Sequence, residues 1–187
     1  MVDELYAKRL EKKIQAPQVV TALLRAGAFL TGYELVKASI VDGVKDFFLV
    51  GFDEDGMTYS SDYKNKVLPL GKNAWDASVR WLVSVEALTE EQASSLDDIY
   101  AHRHEIAHEL AKFLVDPDAE VSLEKLQQLY GIMRSLDRFW GGINVDTNPD
   151  FDGVEVDYDN IKSGSGLLLE YLLQIASGDP AAEVDKE

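Results

Sequence analysis

The chain is 187 residues long, 46% of its residues are hydrophobic, and it contains no cysteine. This length and composition predict one compact domain with a substantial core, and the lack of cysteine excludes disulfide bonds and thiolate metal sites. The formal net charge of −16 argues against broad, non-specific binding of nucleic acid, because the summed negative field repels a polyanion. No apolar run approaches the ~20 residues that span a bilayer, and the N-terminus lacks a signal-peptide pattern. A cytoplasmic location is therefore expected.

The N-terminal half is predicted to be helical on both sides of one loop. Residues 3–15 are charged and predict a short helix. Apolar residues recur at helical spacing over 18–49, and the preceding Pro17 suits the first turn of a helix. Residues 51–71 contain glycine, proline and many polar groups, which predicts a loop with at most a short strand-like turn. Residues 72–87 predict another core helix.

The next two helices follow from a capping signal and an amphipathic pattern. Thr89 and Gln92 have the spacing of a capping box, which predicts a helix from about 90 to 115. Apolar residues at helical spacing predict a helix over 122–140, and the Gly-Gly pair at 141–142 predicts its end.

The C-terminal part is predicted to contain a loop, a helix and a tail. Residues 143–166 are acidic and rich in glycine, which predicts a loop. A helix is predicted over 167–176, with a start as early as Asp157 considered, and residues 178–187 are expected to form a flexible tail.

These elements predict an all-α fold, because convincing strand patterns are scarce. We expect a single domain over residues 1–187, with a core helical bundle at about 18–140. The acidic loop and last helix, 143–177, are additions to that bundle, as is the N-terminal helix.

All three histidines lie within seven consecutive residues, 102–108, of sequence HRHEIAH. Histidine has an unperturbed pKa near neutrality and is the commonest metal ligand, so this segment is the first candidate for chemistry. On the predicted helix, His104 and His108 are four residues apart and adjacent on the face opposite Ile106. His102 lies near the apolar face and is a weaker candidate. An arbitrary histidine pair is about as often a plain surface feature, but the clustering beside Arg103 favours a site.

One motif in this segment is that of zinc hydrolases, His-Glu-x-x-His. In such a site His104 and His108 would bind Zn²⁺, and Glu105 would activate the bound water. The charged Glu109 follows the second histidine, no clear motif downstream supplies a third ligand, and no strand is predicted to bind a peptide. This alternative therefore ranks low.

A second motif in the same segment is Arg103-His104-x-x-x-His108. It resembles the R-x₄₋₆-H motif of the HEPN family, in which Asn, Asp or His commonly follows the arginine. The predicted context is similar too, because the motif lies inside a helix of an all-α bundle. Residues 18–140 could cover the four-helix core of the family, whereas residues 143–187 lie outside the resemblance.

The resemblance implies an endoribonuclease that needs no metal and no cofactor and works in a composite site of a homodimer. The RNA 2′-hydroxyl attacks the adjacent phosphate and leaves a 2′,3′-cyclic phosphate. His108 would act as general acid or base, Arg103 would hold the phosphate with its planar donor group, and His104 would orient the phosphate or His108.

The resemblance also implies partners and an alternative function. Such nucleases occur in defence and toxin–antitoxin systems, where an antitoxin or a nucleotidyltransferase is the partner. Some of these transferases modify a tyrosine two residues after the motif histidine; Leu110 stands there in this chain, so that form of regulation is not supported. Because the family includes catalytically silent members, the alternative is a helical interaction module of the same fold.

Two weaker candidates lie outside the histidine segment. Glu34 and Lys37, polar residues of the long apolar helix, could face the histidine helix and assist the site, although exposed or paired positions are commoner. Residues 148–159 resemble an EF-hand calcium loop, but the segment begins with Asn and ends with Asp in place of Glu. A solvated acidic linker is the preferred interpretation there.

Overall fold

A computed structural model describes residues 4–54 and 56–178 of the chain. The helices in this part are α1 (Glu4–Lys13), α2 (Ala16–Phe47), α3 (Ala74–Ser84), α4 (Glu90–Val115), α5 (Leu123–Thr147) and α6 (Gly164–Ser177). Two antiparallel strands, β1 (Leu49–Asp53) and β2 (Gly56–Tyr59), form a hairpin after α2. The structure is thus mostly helical, as predicted, and the strand-like turn allowed within the first loop is this hairpin.

Helix α2 is the centre of the bundle. It packs against α3, α4, α5 and α6 and buries Phe29, Val36 and Ile40 almost completely. By length and composition alone, α2 is also apolar enough to cross a membrane. Its best window has a mean hydropathy of 1.4, with a third of that window buried. The core helix of a bundle meets the same criterion, so this single helix is weak evidence of a membrane.

Helix α6 runs antiparallel to α2. Gly32 lies against Leu169, where a Cβ on the glycine would come within 2.7 Å of Leu169 Cδ1. Closer to the start of α2, Arg25 Nε donates a hydrogen bond to the carbonyl of Ala176. The missing side chain at Gly32 therefore allows close approach of the two helices.

Helix α4 begins where its capping signal predicts. Thr89 Oγ1 accepts a hydrogen bond from Gln92 N, and the Gln92 side chain accepts one from Thr89 N. Ile106 is fully buried on the predicted apolar face. The helix is kinked at Glu109, where φ is −124° and ψ is 32°. The predicted helix over about 90 to 115 is therefore bent just after His108.

Helix α5 corrects the prediction that the glycine pair ends it near residue 140. It continues through Gly141 and Gly142 to Thr147. A Cβ on Gly141 would lie 2.3 Å from Ile161 Cγ2, so this glycine leaves room for the chain that returns over the helix. Close packing, and not helix termination, explains Gly141.

Helix α6 also differs from its predicted start. It begins at Gly164, where Ser163 Oγ accepts a hydrogen bond from Gly166 N, and not at Asp157 or at residue 167. It ends at Ser177, and the following Gly178 has a left-handed φ of 72°, a conformation that glycine adopts readily because it has no Cβ. Residues 179–187 of the predicted tail lie outside the described residues, as do residues 1–3.

Candidate active site on helix α4

The two candidate catalytic histidines lie side by side on the exposed surface of α4. The ring centroids of His104 and His108 are 4.3 Å apart, and the ring planes are inclined at 52°. Both side chains are exposed, as their place opposite the buried Ile106 predicts. Tyr100, one turn earlier, is 53% exposed, with its ring centroid 6.3 Å from that of His104. Imidazole nitrogens are therefore open to a ligand that approaches this face.

Arg103 extends from α4 toward α2. Its Nη2 donates a hydrogen bond of 2.8 Å to Glu34 Oε1, and its guanidinium carbon lies 5.7 Å from the ring centroid of Tyr33. Its Nε is buried without a hydrogen-bond partner among the described residues. Glu34 therefore faces the histidine helix, which was one of the two possibilities considered for it. Lys37 Nζ lies 3.6 Å from Oε2, the second carboxylate oxygen of Glu34.

His102 has a structural position. Its Nε2 accepts a hydrogen bond of 3.0 Å from the backbone N–H of Ser122, the residue that caps α5. Its ring packs edge-on against Phe29 at 4.9 Å, and its side chain is 11% exposed. Burial, aided by the charge of Lys125, lowers the pKa of His102, so the neutral ring is favoured. This histidine joins α4 to α5 and α2 and lies apart from the exposed pair.

Glu105 is engaged on the flank of α4 that carries His102 and Lys112. Lys112 donates a hydrogen bond of 2.8 Å to its Oε1, and His102 Nδ1 lies 3.8 Å from its Oε2. The hydrogen bond from Lys112 lowers the pKa of Glu105. A zinc hydrolase would need this carboxylate beside a metal held by His104 and His108; here its oxygens face other partners.

No group of three metal-ligating side chains suited to a metal ion occurs among residues 4–54 and 56–178. In the segment that resembles a calcium loop, Asn148 Oδ1 accepts a hydrogen bond from Asp150 N. At its far end Asp159 forms an ion pair with Arg138 at 3.0 Å. Side-chain oxygens at both ends of this segment thus serve a turn and an ion pair.

The exposed faces of α2 and α4 form one surface, with Arg103 and Glu34 where the two helices meet. On α2 the exposed residues Leu24, Gly27 and Thr31 precede Glu34 at spacings of three and four, so they share its face. A Cβ on Gly27 would meet nothing within 4 Å. A second helix could therefore approach α2 closely beside the histidine pair.

This arrangement suits proton transfer next to an anion. Two exposed imidazoles can serve as proton acceptor and proton donor, and a guanidinium one residue away can bind a phosphate once it leaves Glu34. Tyr33 and Tyr100, whose rings lie 6.1 Å apart, also lie next to this site. Tyr100 is expected on this face because it precedes His104 by one turn. No local signal identifies Tyr33, whose contact with Arg103 depends on the packing of α2 against α4.

Comparison of the chain with models of known families, with curated proteins and with solved structures finds no match. The resemblance to the HEPN family therefore rests on the Arg103–His108 motif and its place in a helical bundle.

Proposed function

We propose that the chain is a HEPN-type, metal-independent endoribonuclease that acts as a homodimer. The observation that carries this proposal is the exposed pair of His104 and His108 beside Arg103 on a packed helix. The opposite face of the same helix is anchored by buried Ile106, and His102 joins the helix to α5. Such anchoring holds the candidate groups in a fixed arrangement before substrate binds.

In the proposed reaction a base removes the proton of the RNA 2′-hydroxyl, and its oxygen attacks the adjacent phosphorus. The bond from phosphorus to the 5′-oxygen breaks, and an acid protonates that leaving oxygen. The products are a 2′,3′-cyclic phosphate and a 5′-hydroxyl. His108 acts as acid or base, His104 orients it or the phosphate, and Arg103 donates hydrogen bonds to the non-bridging oxygens.

A second protomer supplies the other catalytic histidine in this proposal. The face of α2 at Leu24, Gly27 and Thr31 packs against its copy, because small residues allow helices to approach closely and a two-fold contact uses the same patch twice. The two His108 side chains then flank one cleft. The net charge of −16 per chain confines RNA contact to this cleft, since the rest of the surface repels phosphate.

The test is cleavage of single-stranded RNA by the purified chain in the presence of EDTA. We expect a 2′,3′-cyclic phosphate product and loss of activity in His108→Ala. Lys112→Ala, which removes a cation from the flank of α4 that carries Glu105, is the matched control and keeps its activity. Activity that disappears with EDTA and returns with Zn²⁺ would overturn the proposal in favour of a zinc hydrolase.

A catalytically silent interaction module is the second candidate, and the engagement of Arg103 favours it. In this structure Glu34 already neutralises the guanidinium, which would otherwise hold phosphate. A dimer that binds a partner protein but cleaves no RNA would support the module. For either candidate we propose a cytoplasmic defence or toxin–antitoxin role, in which the acidic surface recruits an antitoxin with basic residues.

A further inference from the structure

The face of α4 that carries the histidine pair continues toward the start of the helix. Asp97, Tyr100, His104 and His108 follow one another at spacings of three and four residues, so they form one row on that face. Tyr100 is 53% exposed, and its ring centroid lies 6.3 Å from that of His104. The row therefore places an aromatic ring that is open to solvent one turn from the candidate catalytic histidines.

Tyr100 packs against a buried aromatic ring of α2. Its ring centroid lies 6.1 Å from that of Tyr33, which is 5% exposed. The ring of Tyr33 in turn lies 6.3 Å from that of Trp75 on α3. These contacts restrict the ring of Tyr100, so less conformational entropy is lost when a flat ligand stacks on it.

A cavity of about 490 Å³ lies between α3 and α4 beside the same row. Its volume is in the range of small-molecule sites. Trp75 and Asp97 both belong to its lining, so the part of the cavity between them adjoins Tyr100. Asp97 precedes His104 by seven residues, which is about 10 Å along the helix axis. One strand of nucleic acid can therefore reach both the cavity and the histidine pair.

The charges of the cavity lining suit an uncharged hydrogen-bond donor better than a phosphate. Arg80, the cation of the lining, is paired with Asp76 at 3.2 Å. The carboxylate of Asp97 is exposed and has neither a hydrogen bond nor an ion pair with another of the described residues. Because a carboxylate accepts hydrogen bonds and repels phosphate, the N–H-bearing edge of a nucleobase is the part of RNA that it favours.

We propose that Tyr100 and Asp97 form a nucleobase site, an inference that rests on the proposed function for the place of the scissile phosphate. The base of a neighbouring nucleotide stacks on Tyr100, and its donor edge meets Asp97. Guanine is the preferred base, because its N1–H and N2–H₂ groups present adjacent donors to the two carboxylate oxygens. The substrate is therefore unpaired RNA with a guanine beside the cleaved bond, since these groups are accessible in a single strand.

The test is the affinity of the whole chain for short labelled RNAs, measured by fluorescence anisotropy in the His108→Ala background so that no RNA is consumed. The RNAs are an oligouridine and the same oligomer with one central guanosine or one central adenosine. We expect the guanosine RNA to bind about fivefold more tightly than the other two. Tyr100→Ala weakens its binding by about tenfold, or about 1.4 kcal/mol, as expected for base–aromatic stacking. Tyr100→Phe, which keeps the ring, keeps the affinity.

The matched control for the ring is Tyr171→Ala, because Tyr171 is a similarly exposed tyrosine, at 57%, on α6. It leaves the affinity within about twofold of the parent chain. Equal weakening by Tyr100→Ala and Tyr171→Ala would overturn the proposal. So would the absence of RNA binding, or equal affinity for the three RNAs.

Asp97→Asn tests the recognition of the base edge. An amide offers one donor and one acceptor, which matches adenine better than guanine, so the preference shifts from the guanosine to the adenosine RNA. Asp98→Asn makes the same change of charge at the next residue, which lies on a different face of the helix, and keeps the preference for guanosine. An equal change of preference in both variants would overturn the role of Asp97.

Cleavage assays separate this inference from the proposed function. With His108 present, Tyr100→Ala raises the KM for RNA more than it lowers kcat, because stacking acts on substrate binding. Cleavage with an unchanged KM would overturn the nucleobase site and leave the nuclease standing. Binding with the expected preference for guanosine, but without cleavage by the wild type, would support the nucleobase site and overturn the nuclease.

Discussion

Arg103 and Glu34 join the two helices that carry the candidate site. Nη2 of Arg103 donates to Oε1 of Glu34 at 2.8 Å, across 69 positions of sequence, and the side chains are 31% and 48% exposed. An ion pair this accessible contributes about 0–1 kcal/mol to stability, so a phosphate could replace the carboxylate at small cost. In the proposed nuclease, Glu34 would thus set how much positive charge the site offers to RNA.

Replacement of Glu34 by Gln is expected to tighten RNA binding by about three- to tenfold at low salt, because the site gains one unit of positive charge. The measurement is fluorescence anisotropy of a labelled single-stranded RNA, made in the His108→Ala background so that no substrate is consumed. Asp152→Asn, with the same change in net charge, is the control and shifts binding little. Weaker binding in Glu34→Gln would mean that the carboxylate orients Arg103 for RNA.

His102 is expected to make the fold sensitive to acid. Its pKa is lowered below the ordinary 6.5 by burial, so the unfolded chain binds the proton more readily. The stability that the neutral ring supplies is full above pH 6.5 and is lost as the pH falls through the pKa of the folded state. His102→Gln keeps an acceptor for the Ser122 N–H without titrating. Its melting temperature should therefore fall less than that of the wild type between pH 7 and pH 5; parallel curves would contradict this role.

Replacement of each of two glycines by alanine is expected to change the free energy of unfolding in opposite directions. At Gly166 a Cβ would lie 1.9 Å from Asp137 Oδ2, so Gly166→Ala should destabilise the fold by about 1–3 kcal/mol. At Gly131, inside α5, a Cβ would meet nothing within 4 Å, and Gly131→Ala should stabilise it by about 0.5–1 kcal/mol through helix propensity. Urea denaturation of both variants measures the two free energies of unfolding. A stabilised Gly166→Ala would show that helix propensity outweighs packing there, and a destabilised Gly131→Ala would contradict the gain expected from helix propensity.

Gly27→Leu is expected to separate the proposed dimer without unfolding the protomer. A leucine finds open space on the exposed face of α2 in one chain, but it would hold two copies apart at close helix contact. Light scattering after size exclusion should show a monomer, and RNA cleavage should be lost with it. Gly131→Leu, on an exposed part of α5, should leave the mass unchanged. A Gly27→Leu variant that remains dimeric would place the dimer contact elsewhere.

The helices that could be predicted are those whose signals are local. The capping residues of α4, Thr89 and Gln92, and the apolar period that buries Ile106 depend only on neighbours within a few turns. The same period places His104 and His108 on the exposed face. These features follow from helix geometry alone. The sequence was therefore sufficient to predict the class of the fold and the exposed position of the two candidate histidines.

The glycines show where local signals fail. A glycine pair is typical of a helix end, but Gly141 and Gly142 lie inside α5. At Gly141 the returning chain at Ile161 occupies the space of a side chain. A glycine signals either backbone freedom or a close neighbour, and only the packed structure distinguishes the two. The end of α5 and the start of α6 were misplaced for this reason.

The sequence by itself determined that the chain is mostly helical and that its histidines cluster on one helix, because both depend on residues close together in the chain. Only the tertiary structure decided where Arg103 points. Its long side chain has many rotamers of similar energy, and the one it adopts is selected by Glu34 and Tyr33 on another helix. The same holds for Asp137, whose burial beside Gly166 depends on the packing of α5 against α6.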